Sequence, residues 1–146
     1  LIGIQPRGTD LNNRILKKLK LILPSCNIKS GNVDISFYRD DLMRREEPIL
    51  PQVMDIDISL EGKTIVLIDD VLFTGRSVRS AIDALMAFGR PESIELLTLI
   101  DRRFSRDLPI QPNYVGKIID AVESEKIIVE WHENTGIDRV LMRKST

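Results

Sequence analysis

Asp69 and Asp70 stand side by side at the end of the apolar run at residues 65–68, and Val71-Leu72-Phe73 separates them from Thr74-Gly75-Arg76-Ser77. Those residue types suit the recognition of a phosphorylated sugar. The tetrapeptide offers successive backbone N–H groups, a glycine that permits close approach, two hydroxyls and, where a helix follows, the positive end of its dipole; together these cradle a phosphate. A sugar attached to that phosphate lies back over the strand end, where two acceptor-only carboxylates can grip vicinal hydroxyls. Acid pairs also serve Mg2+, but neighbours on a strand point to opposite faces, so hydroxyl recognition fits this pair better than joint coordination of one ion. The loop is shorter than that of a P-loop nucleotidase and has no Gly-Lys-Ser/Thr triplet within it. Taken alone, a polar strand end followed by a capped helix accounts for the same residues equally well.

The elements that must hold these groups alternate between strand and helix. Residues 1–4 read as a buried strand and 5–8 as a turn. Thr9 or Asp10 can cap a helix whose apolar positions Leu11, Ile15, Leu16, Leu19, Ile22 and Leu23 recur at helical spacing, with Pro24 past its end. Residues 33–38 alternate as a half-buried strand. Residues 39–56 are polar, proline-punctuated and aperiodic, long enough for a disordered loop or a functional lid. The β-branched run at 64–68 suits the centre of a parallel sheet. From Ser77 onward, Val78, Ala81, Ile82, Leu85 and Met86 mark a second helix, stopped by Gly89-Arg90-Pro91. Residues 94–100 form a further buried strand ending at Asp101, and 114–115, 126–131 and 139–142 are strand-like. The expectation is an α/β domain over residues 1–146 with a mainly parallel sheet.

Composition narrows the classes. A chain of 146 residues, 42% apolar and 29% charged, suits one soluble domain. It opens without Met inside a strand-like run, so native residues are expected upstream of Leu1. No apolar run reaches the length of a membrane span, so no membrane partner is expected. The single Cys26 has no internal disulfide partner, which fits a cytoplasmic location. A formal net charge of -1 gives no global attraction to nucleic acid; RNA binding needs a local basic patch. Arg14, Lys17, Lys18 and Lys20, with Arg79, Arg102, Arg103 and Arg106, are the residues to form one. His132 reads as a surface residue at a strand end.

The apolar strand, Asp-Asp, apolar spacer and Thr-Gly-Arg-Ser, all in register, resemble the phosphoribosyl pyrophosphate signature of the type I phosphoribosyltransferases. "YRDDL" at 38–42, "ALMAFGRPESIEL" at 84–96, "LIDR" at 99–102, "LPI" at 108–110 and "YVGK" at 114–117 are similar to one branch, the bifunctional pyrimidine-operon attenuation regulators and uracil phosphoribosyltransferases. The resemblance implies the type I fold: a mainly parallel sheet flanked by helices, a mobile active-site loop and a small strand-rich C-terminal hood. It also implies transfer of ribose 5-phosphate from phosphoribosyl pyrophosphate to uracil, giving UMP and pyrophosphate. Mg2+ would be held mainly by substrate, with Asp69 or Asp70 as the protein's contribution.

By the same resemblance Asp69 and Asp70 bind the ribose hydroxyls, and Thr74, Gly75, Arg76 and Ser77 hold the 5-phosphate. Pro6, Arg7 and Gly8 fall in the pyrophosphate loop, Pro6 standing where the family commonly has Thr. Arg7 faces the leaving group, and Tyr38, Arg39 and Arg44 or Arg45 close over it from a lid at residues 39–51. Asp69, Asp70, Arg7 and Arg39 are the expected catalytic set. Asp101, Arg102, Val115 and Lys117 neighbour the base. There the chain departs from the family, with Arg103-Phe104-Ser105-Arg106 before Asp107-Leu108-Pro109, and Ile118 where Asn is usual. Three readings stay open: a uracil transferase, a transferase for another base, and a regulator or nucleotide sensor with little turnover. A homodimer or larger homo-oligomer that binds an mRNA leader is implied as well.

Overall fold

The computed structural model describes residues 1–36 and 59–144. Its centre is a five-stranded parallel sheet in the order β2-β1-β3-β4-β5. The strands are β1 (Ile2–Ile4), β2 (Gly31–Val33), β3 (Thr64–Leu72), β4 (Ser93–Arg103) and β5 (Tyr114–Asp120). Helix α1 (Gly8–Ile22) follows β1 and α2 (Arg76–Met86) follows β3. The antiparallel pair β6 (Glu125–Glu130) and β7 (Arg139–Lys144), joined through the one-turn α3 (His132–Thr135), forms a separate hood.

Parallel strands buried on both faces need apolar side chains in both directions. In β3, Ile65 and Leu67 pack with Val78, Ala81, Ala84 and Leu85 of α2. Ile68 turns the other way, to Leu11 and Ile15 of α1 and Trp131 of the hood. Leu67, Ile68 and Leu85 are fully buried, each contributing about 2 kcal/mol relative to exposure. Asn12, also fully buried, ties α1 to the edge of the sheet by donating from Nδ2 to the Gly31 carbonyl at 2.9 Å and Ser30 Oγ at 3.0 Å.

Several boundaries differ from the sequence expectation, each for a local reason. Helix α1 starts at Gly8 rather than after a Thr9 or Asp10 cap, with Arg7 at the N-cap and no side-chain cap bond. Strand β2 has three residues because its neighbour β1 offers three partners, Ile2, Gly3 and Ile4. Just beyond it, Asp34 Oδ1 accepts from the Ser36 N–H at 2.8 Å, a local turn that competes with strand pairing. Strand β4 passes Asp101 to Arg103 because β5 extends the ladder with Arg102↔Ile119 and Arg103↔Asp120. Residues 133–138 contain the turn of helix α3 as well as the expected turn residues, and His132, exposed, opens that helix.

One cation fastens the hood to α1. The Arg14 guanidinium meets Glu133 at 2.6 and 2.9 Å, meets Asp138 at 2.7 and 2.9 Å, and lies 4.7 Å from the centroid of the Trp131 ring. Its bonds hold Glu133 below the usual carboxylate range and Asp138 down to about 2. A depressed folded-state value means stability that is present above the unfolded value of 3.8 and lost as pH falls towards 2. Arg14→Gln is therefore expected to lower the melting temperature at neutral pH. The gap from the native chain should shrink in high salt and close by about pH 2, which a melting series across pH and salt reads directly. Among the described residues, no helix is long and apolar enough to cross a membrane.

Candidate active site

Strand β1 pairs with β3 only through Ile2↔Leu67 and Gly3↔Ile68. From Asp69 onward that flank of β3 is open. The opening is a cavity of about 580 Å3, lined by Arg7 of the loop after β1, by Asp69 and Asp70, by Ser77 of α2, and by Arg102 at the end of β4. Glu123, Glu125, Lys126 and Ile127 of the hood close the far side. This is the carboxyl edge of a parallel sheet, where open α/β folds collect their ligands.

The two carboxylates are buried, at 8% exposure for Asp69 and 3% for Asp70. Each is locked by the next backbone amide: Asp69 Oδ1 accepts from the Asp70 N–H at 2.9 Å, and Asp70 Oδ1 from the Val71 N–H at 2.8 Å. Asp70 Oδ2 is buried with no hydrogen-bond partner among the described residues. Burial, and then the neighbouring Asp70 charge, push Asp69 well above the ordinary carboxylate range. Burial raises Asp70 too, against the pull of the Arg7 guanidinium. Such a pair is costly to ionise until hydroxyl donors or a cation arrive.

The loop before α2 turns at a glycine and leads into the helix with no side-chain cap. Gly75 is at φ +90°, where a β-carbon is strained, and caps α2. Thr74 Oγ1 accepts from the Arg76 N–H at 3.3 Å. The Thr74 carbonyl accepts from the Asp107 N–H at 3.0 Å and the Leu108 N–H at 3.2 Å, and Arg76 Nε bonds Asp107 at 3.0 Å. Opposite, the Gln5–Pro6 peptide is cis. The Gln5 N–H bonds the Val33 carbonyl at 2.9 Å, and Gly8 lies so close to β3 that a β-carbon there would be 2.3 Å from the Ile68 carbonyl oxygen.

At the end of β4, Arg102 is 4% exposed, its guanidinium 4.0 Å from the centroid of the Phe73 ring and bonded to the Val122 carbonyl at 3.2 Å. Its Nε is buried without a partner among the described residues, and burial lowers its proton affinity.

The structure thus brings Pro6, Arg7, Asp69, Asp70, Ser77 and Arg102 to one cavity, with Thr74, Gly75 and Arg76 adjoining Ser77. The Asp101 carboxylate does not line it and is bonded by Arg106. Val115 and Lys117 are exposed on β5, paired with Thr98 and Ile100 and outside the cavity lining. Tyr38, Arg39, Arg44 and Arg45 lie outside the described residues. Phe73 and the hood residues were missed from sequence. Phe73 had a signal, an aromatic between the acid pair and the loop; the hood had none.

The model of the phosphoribosyl transferase domain matches residues 1–137 of the chain. The chain belongs to the phosphoribosyltransferase family. The "Bifunctional protein PyrR" of Halalkalibacterium halodurans is 47% identical to this phosphoribosyltransferase over 149 residues, covering all of this chain and 81% of the relative. That of Enterococcus faecalis is 45% identical over 144 residues, covering 99% and 79%. Among solved structures, a hypoxanthine phosphoribosyltransferase from Staphylococcus aureus superposes with a TM-score of 0.63 at 24% identity, over 85% of this chain and 62% of that one. This chain spans about three fifths of that solved chain, and the likeness establishes the type I fold. Among the described residues, no group of three or more His, Cys, Asp or Glu side chains can hold a metal ion. The unpartnered Asp70 Oδ2 is an oxygen of the kind Mg2+ takes, and it would be one ligand to an ion held otherwise by substrate and water.

Proposed function

We propose that this phosphoribosyltransferase transfers ribose 5-phosphate from phosphoribosyl pyrophosphate to uracil, releasing pyrophosphate and forming UMP, and that it also regulates pyrimidine genes through an mRNA leader. The observation that carries the catalytic reading is the acid pair, buried and locked by its own backbone, opening into one cavity with Arg7 and the N-terminus of α2. Asp69 and Asp70 accept from the ribose hydroxyls. The N–H groups at the start of α2, with Thr74, Gly75, Arg76 and Ser77, hold the 5-phosphate. Arg7 faces the pyrophosphate, and Pro6 and Gly8 shape the loop that carries it. Loss of pyrophosphate builds oxocarbenium character at the anomeric carbon and negative charge on the leaving group. Mg2+, bound through the substrate with Asp69 or Asp70 nearby, supplies charge neutralisation at that diphosphate. Asp69 and Asp70 fix the ribose so that the anomeric carbon meets the base, and Arg7 adds a fixed cation where negative charge grows. Arg39, from the proposed lid, is the second cation for the leaving group. Arg102 forms the base side, where the buried guanidinium suits the carbonyl oxygens of uracil; Asp101, Val115 and Lys117, outside the cavity lining, contribute to it through the β4–β5 ladder that carries Arg102.

RNA contact falls to α1. Arg14 and Arg103 are committed to ion pairs, and Arg102 and Arg106 to internal bonds, whereas Lys17, Lys18 and Lys20 are exposed along α1. Phosphate neutralisation by such a face is salt-dependent. The homo-oligomer and the cytoplasmic location are part of the same reading.

The test is nucleotide formation from phosphoribosyl pyrophosphate and Mg2+ with uracil, hypoxanthine, guanine and orotate in parallel. UMP from uracil, with the other bases inert, is the expected result. Turnover confined to another base, or donor binding with no turnover on any base, contradicts it.

A further inference from the structure

We propose that Arg106, oriented by Asp101, is a positioning residue that holds the 5-phosphate loop open for its ligand; the inference rests on the proposed function and assigns a new role within it. The guanidinium has five N–H donors in a fixed fork. Here the two on Nη1 are shared among the Phe73 carbonyl at 2.6 Å, the Arg102 carbonyl at 3.0 Å and, at the longest distance, the Leu72 carbonyl at 3.3 Å, while Nε donates to the Ile110 carbonyl at 2.9 Å and Nη2 to the Asp101 carboxylate. Leu72 and Phe73 are the last residues before the loop. The next carbonyl, Thr74, is taken by the N–H groups of Asp107 and Leu108. Three consecutive carbonyls, 72 to 74, are thus drawn onto one segment centred on Arg106. An anion meets repulsion from backbone carbonyls and attraction from N–H groups, so tying these carbonyls back leaves donors for the phosphate.

The clamp also reaches the other half of the cavity. Phe73, whose carbonyl Arg106 holds, carries the Arg102 guanidinium on its ring. Arg106 does not itself line the cavity but bonds the backbone carbonyls of two residues that do, Phe73 and Arg102, so it acts on the ligand indirectly. Lys in its place keeps one charge for Asp101 but cannot span Phe73 and Ile110 together.

Calorimetric titration with ribose 5-phosphate and, separately, with Mg2+ and pyrophosphate distinguishes positioning from mere support of the fold. Arg106→Gln is expected to weaken ribose 5-phosphate binding about tenfold or more and to raise KM for phosphoribosyl pyrophosphate in proportion. Pyrophosphate affinity should stay within about twofold and kcat within about threefold, because the loop after β1 and the acid pair keep their own supports. Arg106→Lys should fall between, and it carries the reading if the Gln chain does not fold. Unchanged ribose 5-phosphate affinity in the folded variants, or equal loss of both ligands beside a lowered melting temperature, overturns the proposal. Failure of the native chain itself to bind ribose 5-phosphate overturns the proposed function, and the positioning role with it.

Discussion

Asp69→Asn combined with Asp70→Asn is expected to lower uracil-dependent pyrophosphate release about a thousandfold or more, because each carboxylate exchanges one accepting oxygen and its charge for an NH2 that cannot accept from a ribose hydroxyl. Above the raised carboxyl values, the ligand-free variant is expected to melt higher than the native chain, because its amides carry no buried charge. Both effects come from the same burial. Asp69 and Asp70 are raised above the ordinary carboxylate value of 3.8, first by burial and, for Asp69, next by the Asp70 charge. A raised folded-state value contributes stability that is complete below the unfolded value and lost as pH rises through the folded one. The native chain should therefore lose stability relative to the variant as pH climbs from about 4 through the raised values, and then level off. Donor affinity in the native chain follows the opposite sense, falling on acidification before an ordinary carboxylate would protonate. Melting curves and donor titrations across pH check both; a variant that melts lower than the native chain at pH 8 contradicts the electrostatic origin.

Gly8→Ala is the second large effect. The added methyl would meet the Ile68 carbonyl oxygen at 2.3 Å, and that oxygen belongs to the backbone of the central strand. The strand cannot yield without disturbing the core, so α1 and the Pro6-Arg7 loop must shift away. A clash of this kind costs about 1–3 kcal/mol. A displacement approaching 1 Å of the leaving-group loop should lower kcat/KM by about a hundredfold. Chemical denaturation gives the first quantity and steady-state kinetics the second. Native-like kinetics in Gly8→Ala would mean that the loop after β1 does not contact the diphosphate.

That the acid pair and the Thr74–Ser77 loop stand together at the end of one strand was legible in the sequence because strand, loop and helix are contiguous. Residues 69–77 carry their geometry in local pattern: β-branched core residues, two acids, a glycine at positive φ, and a helical repeat. The base side depends on parts of the chain that return from far away. Whether Val115 and Lys117 reach the cavity is decided by the register of β5 on β4, with Val115 opposite Thr98 and Lys117 opposite Ile100, and residue types do not encode that register. Arg102, expected from the resemblance to neighbour the base and counted among the basic charge for RNA, is enclosed by Phe73 and the Val122 carbonyl, and residue types do not encode that enclosure. Arg106 reads as basic charge available to RNA, yet its main acceptors are backbone carbonyls, which have no residue signature. The hood is fixed by Arg14 bonding Glu133 and Asp138 across more than a hundred residues. The helical stripe of α1 gives no hint of that partner.

The central claim is that the cavity between the end of β3 and the hood binds phosphoribosyl pyrophosphate through Asp69 and Asp70. Calorimetric titration of that donor, with and without Mg2+, into the native chain and the Asp69→Asn, Asp70→Asn chain tests it most directly. The account predicts saturable, Mg2+-strengthened binding to the native chain that drops by about a hundredfold or more in the variant. Equal affinity in the two chains, or no binding to the native one, would contradict it.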